Sequence, residues 1–181
     1  MSTFLRAIRA GAIHVRHGAV LLAHFGRFGS IFDECSKIMV EVLREEGMFN
    51  GHPDAVVSVA TRSIKEVFFL SIHYHNGYLT AYSQSFSLVL DGVVEDETNA
   101  VALSKHLASS FLVRGAQLSV VRRIEGQYVV QIHTTLLSWI GKRLAAYEHN
   151  KNKKSRRIAI LFFRVLAPML SMVDNREALK M

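Results

Sequence analysis

An all-α fold is what this sequence predicts, on three observations. Apolar residues return at helical spacing along almost the whole 181-residue chain, and sustained alternation of period two is absent. Only two prolines, Pro53 and Pro168, interrupt the chain, so helical patterns can run on. Ser30, Asp54, Thr98, Ser155 and Asp174 each stand at the head of a helical pattern, where a side-chain oxygen can accept from the orphan amides of a first turn. With 50% hydrophobic and 20% charged residues, the composition is that of one globular domain over residues 1–181.

Taken in order, a first helix is read over 4–25. The second, over 30–47, carries the stripe Ile31, Cys35, Ile38, Met39, Val42 and Leu43. Gly47 and Gly51 are expected to stop it, and Pro53 clears the way for Asp54 to begin the third over 54–73. Asn76-Gly77 and Gly92 break the chain after Ile72 and Leu90 and bound a fourth helix at 79–91. The fifth, over 98–113, is rich in small side chains that let a neighbouring helix approach closely. A short sixth at 115–124 is flanked by Arg114, Arg122 and Arg123, one of which can pair with Glu125. The seventh, over 127–148, carries Val129, Ile132, Leu136, Trp139, Ile140, Leu144 and Tyr147 as its stripe. The eighth, over 155–171, carries Ile158, Leu161, Phe162, Val165, Leu166 and Met169.

Capping signals thus fall about every 40 to 55 residues with two helices between them, the spacing of HEAT or armadillo repeats. The expected architecture is a HEAT-like α-solenoid of stacked helical hairpins. A plain helical bundle fits the same periodicity. Asp174 and Glu177 form a capping box only a few residues before Met181, so the chain reads as a segment of a longer solenoid.

Several function classes find no support in the residues. Nucleophile elbow, Walker loop, dinucleotide fingerprint and paired Cys-x-x-Cys are all missing, so no catalytic residues, cofactor or small-molecule substrate is expected. The single cysteine, Cys35, lies on an apolar stripe as a structural thiol, precludes an internal disulfide and fits a reducing compartment. His14, His17 and His24, or His73 and His75, invite a metal, but neither set has a Cys or Glu cluster to complete it. The greasiest stretch, Ile158 to Val173, is cut by Arg164 and Pro168 and is shorter than the roughly 20 residues a bilayer requires. With no secretory pattern at the N-terminus, the chain reads as soluble and without a membrane partner.

Charge is the remaining clue. Between Arg114 and Arg157 lie ten lysines and arginines against Glu125 and Glu148, while the whole chain nets only +7. Lys142, Arg143, Lys151, Lys153, Lys154, Arg156 and Arg157 crowd the end of one helix, the following loop and the start of the next. Such a cluster is either a solvated surface or a phosphate-binding corner, reinforced by the free amides of a helix start. Tyr147 is the only nearby aromatic, so backbone contact with double-stranded DNA, non-specific and salt-sensitive, fits better than single-strand stacking. Asp91, Glu95, Asp96 and Glu97 make an acidic corner that either docks a basic peptide or favours the adjacent helix N-terminus.

The succession Ala102-Leu103-Ser104-Lys105-His106-Leu107-Ala108-Ser109-Ser110-Phe111 followed by Arg114-Gly115-Ala116-Gln117-Leu118-Ser119-Val120-Val121 resembles the C-terminal HEAT-repeat region of the stromalins, the stromal-antigen-type subunits of cohesin. The similarity continues through Leu136-Leu137-Ser138-Trp139-Ile140 and Lys151-Asn152-Lys153-Lys154, and Arg16-His17-Gly18-Ala19-Val20-Leu21-Leu22-Ala23-His24-Phe25-Gly26-Arg27 is similar to the helices just upstream. The resemblance implies a non-enzymatic solenoid in the nucleus, bound by the kleisin subunit of cohesin and touching DNA non-specifically in sister-chromatid cohesion. It assigns no residues to regulators. The rival reading is an unrelated α-solenoid adaptor for transport or trafficking, whose basic corner meets an acidic protein or membrane headgroups.

Overall fold

The computed structural model describes residues 2–75, 97–111, 119–150 and 153–171, and every regular element among them is helical. The chain opens with α1 (Ser2–Arg9), a 3-10 turn (Val15–His17) and the short α2 (Gly18–Leu22). It continues through α3 (Ser30–Phe49), α4 (Pro53–His75), α5 (Thr98–Phe111), α6 (Ser119–Asn150) and α7 (Lys153–Leu170). Residues 79–91, expected from the sequence to be helical, lie outside the described residues.

The single helix expected over 4–25 is instead broken after Arg9. Gly11 takes the left-handed conformation at φ 71°, and the Gly11 and Ala12 amides donate to the carbonyls of Ile8 and Ala7. This Schellman arrangement satisfies the last carbonyls of α1 and turns the chain. The apolar pattern does not show the break, because Ile13, Val15, Leu21 and Leu22 still pack on the core after it.

The opposite correction applies to the sixth and seventh expected helices, which form one continuous α6 of 32 residues running through Gly126. A mid-helix glycine costs about 1 kcal/mol, which the buried Tyr128, Val129 and Ile132 immediately after it offset. Gly47 likewise does not end α3. It sits inside the helix because Tyr128 of α6 closes on it there, the phenol donating to the Gly47 carbonyl at 2.7 Å. The terminator is the Asn50–Gly51 pair, with Gly51 at φ 68°.

Most of the expected caps fall one residue or more inside their helices. Gly29 precedes α3, while Ser30 is its first residue. Pro53 takes the first position of α4, where its missing N–H costs nothing, and the His52 carbonyl accepts from Ala55 and Val56. Asp54 therefore occupies the first turn, where its charge favours the positive end of the dipole. Thr98 opens α5 after Glu97, Ser155 lies in the first turn of α7, and Asp174 is outside the described residues.

Helix α4 is the spine. It packs against α2, α3, α5 and α6, while α5 also bridges to α7, and α6 and α7 pair as a hairpin joined through residues 151 and 152. The stripes of α6 and α7 supply Val129, Ile132, Leu136, Ile140, Phe162, Val165, Leu166 and Met169 to the same core as Phe68, Leu103 and Phe111. The small residues of α5 act as expected: Ala100, Ser104 and Ala108 are buried, and the Ser104 hydroxyl donates to the Val165 carbonyl of α7 at 2.6 Å. On α3 the buried face is offset from the expected stripe. Met39, Val40, Val42 and Leu43 are buried, whereas Ile31 is 83% exposed, and Cys35 packs at the edge of the core. Outside the core, Arg9 and Glu45 pair across α1 and α3 through two hydrogen bonds. Among the described residues no helix is long and apolar enough to cross a membrane.

Candidate nucleic-acid interface

The α6–α7 hairpin carries the basic cluster at its joined end. Ile140 on α6 and Ala159 on α7 are buried in the core, 1% and 2% exposed, and Leu144 packs against it one turn further along α6. Past Leu144, Ala145 and Ala146 are exposed, and α6 continues to Asn150. Desolvating a lysine or arginine without a partner is expensive, which confines these residue types to the part of the hairpin that the core does not cover.

Of the seven basic residues that the sequence singles out, Lys142 and Arg143 lie exposed on α6 about two turns before its end, and Arg156 lies exposed on α7. Lys153, Lys154 and Arg157 belong to the first turns of α7. Lys151 lies outside the described residues. One hairpin end therefore brings together the end of α6, whose dipole favours cations, and the start of α7, whose unsatisfied amides favour an anion.

Arg143 differs from the rest in what it touches. Its guanidinium carbon lies 4.9 Å from the centre of the Trp139 ring and 4.8 Å from that of Phe69. Lys65 of α4 lies over the same indole, its Nζ 5.6 Å from the ring centre. In the sequence Trp139 belongs to a core stripe, and nothing there assigns a role to Lys65 or Phe69. The i, i+4 spacings Lys65–Phe69 and Trp139–Arg143 are visible in the chain, but which two helices meet is not.

The other candidate groups have structural explanations. Glu97, from the acidic corner, is 8% exposed and receives a 2.7 Å hydrogen bond from Arg164, tying the start of α5 to α7. Burial pushes its carboxyl upward, but the hydrogen bonds from Arg164 and its own amide outweigh that and hold it below the usual range. Asp91, Glu95 and Asp96 are outside the described residues, as is Arg114, while Arg122 and Arg123 fall near the start of α6.

Among the histidines, the ring nitrogen of His14 accepts from the Arg16 amide at 3.1 Å, while His24 packs its ring on Phe28 and Phe32. His14, His17 and His24 all follow the break after α1, but His14 precedes the 3-10 turn, His17 ends it and His24 lies beyond α2, so no single helix aligns them. Among the described residues no three His, Cys, Asp or Glu side chains gather around a possible metal position. His24, His106 and His133 are all held below the ordinary histidine value, in each case chiefly by burial.

The chain has no significant match to any protein-family model, curated protein or solved structure.

Proposed function

We propose that this chain is a non-enzymatic scaffold, a HEAT-type helical segment of a cohesin stromalin subunit, which holds the kleisin subunit and touches double-stranded DNA without sequence preference. The observation that carries the DNA part is the joined end of α6 and α7. There Arg156 is exposed near a helix start whose first turns also contain Lys153, Lys154 and Arg157, and Lys142 and Arg143 are exposed about two turns before the end of α6. The field of such a cluster attracts a polyanion, and the helix N-terminus gives it amides to bond.

Two pairs of consecutive, contacting helices support the repeat reading. Helices α3 and α4 are joined by residues 50–52, α6 and α7 by residues 151–152, and α5 packs against members of both pairs. Grooves between stacked hairpins are the surfaces on which such scaffolds hold an extended segment of a partner. The assignment to stromalins itself rests on the residue successions running from Ala102 to Lys154.

Two measurements test the proposal together. The chain should co-purify with a kleisin fragment, and it should raise the anisotropy of a labelled duplex at low salt. Affinity should fall steeply with salt, with a log–log slope of about −0.9 per phosphate neutralised. Charge reversal at Lys153, Lys154, Arg156 and Arg157 should abolish duplex binding while helical circular dichroism is retained. Undiminished binding by the reversed variant refutes the DNA site. Binding to anionic vesicles without binding to duplex or kleisin would favour the adaptor reading instead.

A further inference from the structure

We propose that Lys65, Arg143 and Trp139 form a phosphate-recognition site on the α4–α6 face, a second point of contact for the polyanion attracted to the hairpin end. The inference deepens the DNA-binding reading above and rests on it for the identity of the polyanion.

Four side chains from two helices make the site. Lys65 and Phe69 are four residues apart on α4, Trp139 and Arg143 four apart on α6, and each pair shares a helix face. The pairs interlock. The Phe69 and Trp139 rings meet edge-on with centres 5.7 Å apart, Arg143 lies over both, and Lys65 lies over the indole. Behind them, Phe162 packs 4.8 Å from Trp139 and Phe68 packs 4.8 Å from Phe162, both fully buried. The floor therefore rests on the core, while Arg143 is exposed and Lys65 and Trp139 half-buried.

The charges are arranged as for an anion. Neither Lys65 nor Arg143 pairs with a carboxylate among the described residues, and the nearby Glu66 is held by Arg62 at 2.6 Å. Burial, and then the charge of Arg143, lower the Lys65 pKa. Two like charges close enough to act on each other repel, and an anion that reaches both relieves that repulsion. A guanidinium held over rings keeps its in-plane N–H fork for an acceptor, a geometry that suits phosphate.

Continuity with the hairpin end favours a polyphosphate over an acidic side chain. From Arg143 to the end of α6 at Asn150 is about 10 Å along the helix axis at roughly 1.5 Å per residue. A nucleic-acid strand places a charge about every 3.4 Å along its axis, so one duplex reaches both points.

Trp139 is the only tryptophan of the chain, which makes its emission a reporter of this site alone. The test titrates the full chain with pyrophosphate and with an end-labelled 20-base-pair duplex, following Trp139 emission and label anisotropy together. Both probes should change the emission saturably, and the duplex should do so in step with its anisotropy. Lys65→Gln and Arg143→Gln should each weaken duplex binding severalfold and reduce the salt slope by about one, with helical circular dichroism retained. If anisotropy rises while Trp139 emission stays constant and both variants bind as the parent does, the site is refuted and the hairpin-end contact stands. If pyrophosphate alone changes the emission, and Arg143→Gln abolishes that change, the site stands and the DNA reading falls. A response to a glutamate-rich peptide but to neither phosphate probe overturns the assignment to phosphate. No response to any probe overturns it as well.

Discussion

Replacing Gly47 with alanine sets two known effects against each other at one position. In an exposed helix interior the change is worth about 1 kcal/mol of stabilisation, because glycine loses more backbone entropy on folding. At Gly47 the new methyl would lie 3.0 Å from Tyr128 Cε2 and 3.0 Å from Val56 Cγ2, closer than such atoms pack. Neither neighbour is the free end of a flexible chain. Tyr128 is 5% exposed with its hydroxyl bonded to the Gly47 carbonyl, and Val56 is fully buried. Overpacking of this kind costs about 1–3 kcal/mol, so the net should be a loss of up to about 2 kcal/mol.

Gly141 is the internal control. It lies exposed in α6, and a methyl added there would meet no atom within 4 Å, so Gly141→Ala should stabilise by about 1 kcal/mol. In a chain of this size about 1 kcal/mol moves Tm by roughly 2–4 °C, so the two variants should shift it in opposite directions. Urea unfolding at constant m checks the free energies. If Gly47→Ala stabilises as much as Gly141→Ala, then Tyr128 does not close on α3, and the account of why this glycine lies inside the helix is wrong.

Phe162→Ala should cost about 3–5 kcal/mol in chemical denaturation, since the ring is fully buried between Phe68 and Trp139, and Trp139 emission of the native state should shift to the red. Burial lowers the pKa of His133, so the unfolded chain binds protons first. Stability should therefore fall as the pH drops below about 6.5 and level off below the folded value, less steeply in His133→Gln. The Glu97 carboxyl is lowered too, so its contribution is complete above 4.5 and lost as the pH falls through the folded value. The stability difference between the parent and Glu97→Gln should close over that acid range.

The helical class is legible in the chain because period and proline count are local properties, and the stripes of α6 and α7 are buried much as their spacing predicts. Glycine is where local reasoning fails. Gly11 ends a helix and Gly47 and Gly126 do not, although all three look alike in the chain. The difference lies in tertiary contacts: Tyr128 comes from 81 residues away to meet Gly47, and no local rule contains that encounter. The offset of the α3 stripe has a related cause. Ile31 continues the period, but it is left exposed at the start of the helix while its neighbour Phe32 packs against the core.

The basic residues are legible as a cluster but not as two chemically different groups. Around the α6–α7 connection Lys142 and Arg156 are exposed, and any polyanion meeting exposed cations exchanges one solvated partner for another. Lys65 and Arg143 instead stand against Trp139, in ring contact with the core itself, where Lys65 is already partly stripped of water. An anion bound there meets at Lys65 a charge partly withdrawn from water, so its attraction to Lys65 should be screened less by salt than that of the exposed end. A duplex spanning both would thus keep its inner contact at ionic strengths that have already released the outer one. Trp139 emission should then outlast the contribution of Lys153, Lys154, Arg156 and Arg157 as salt is raised.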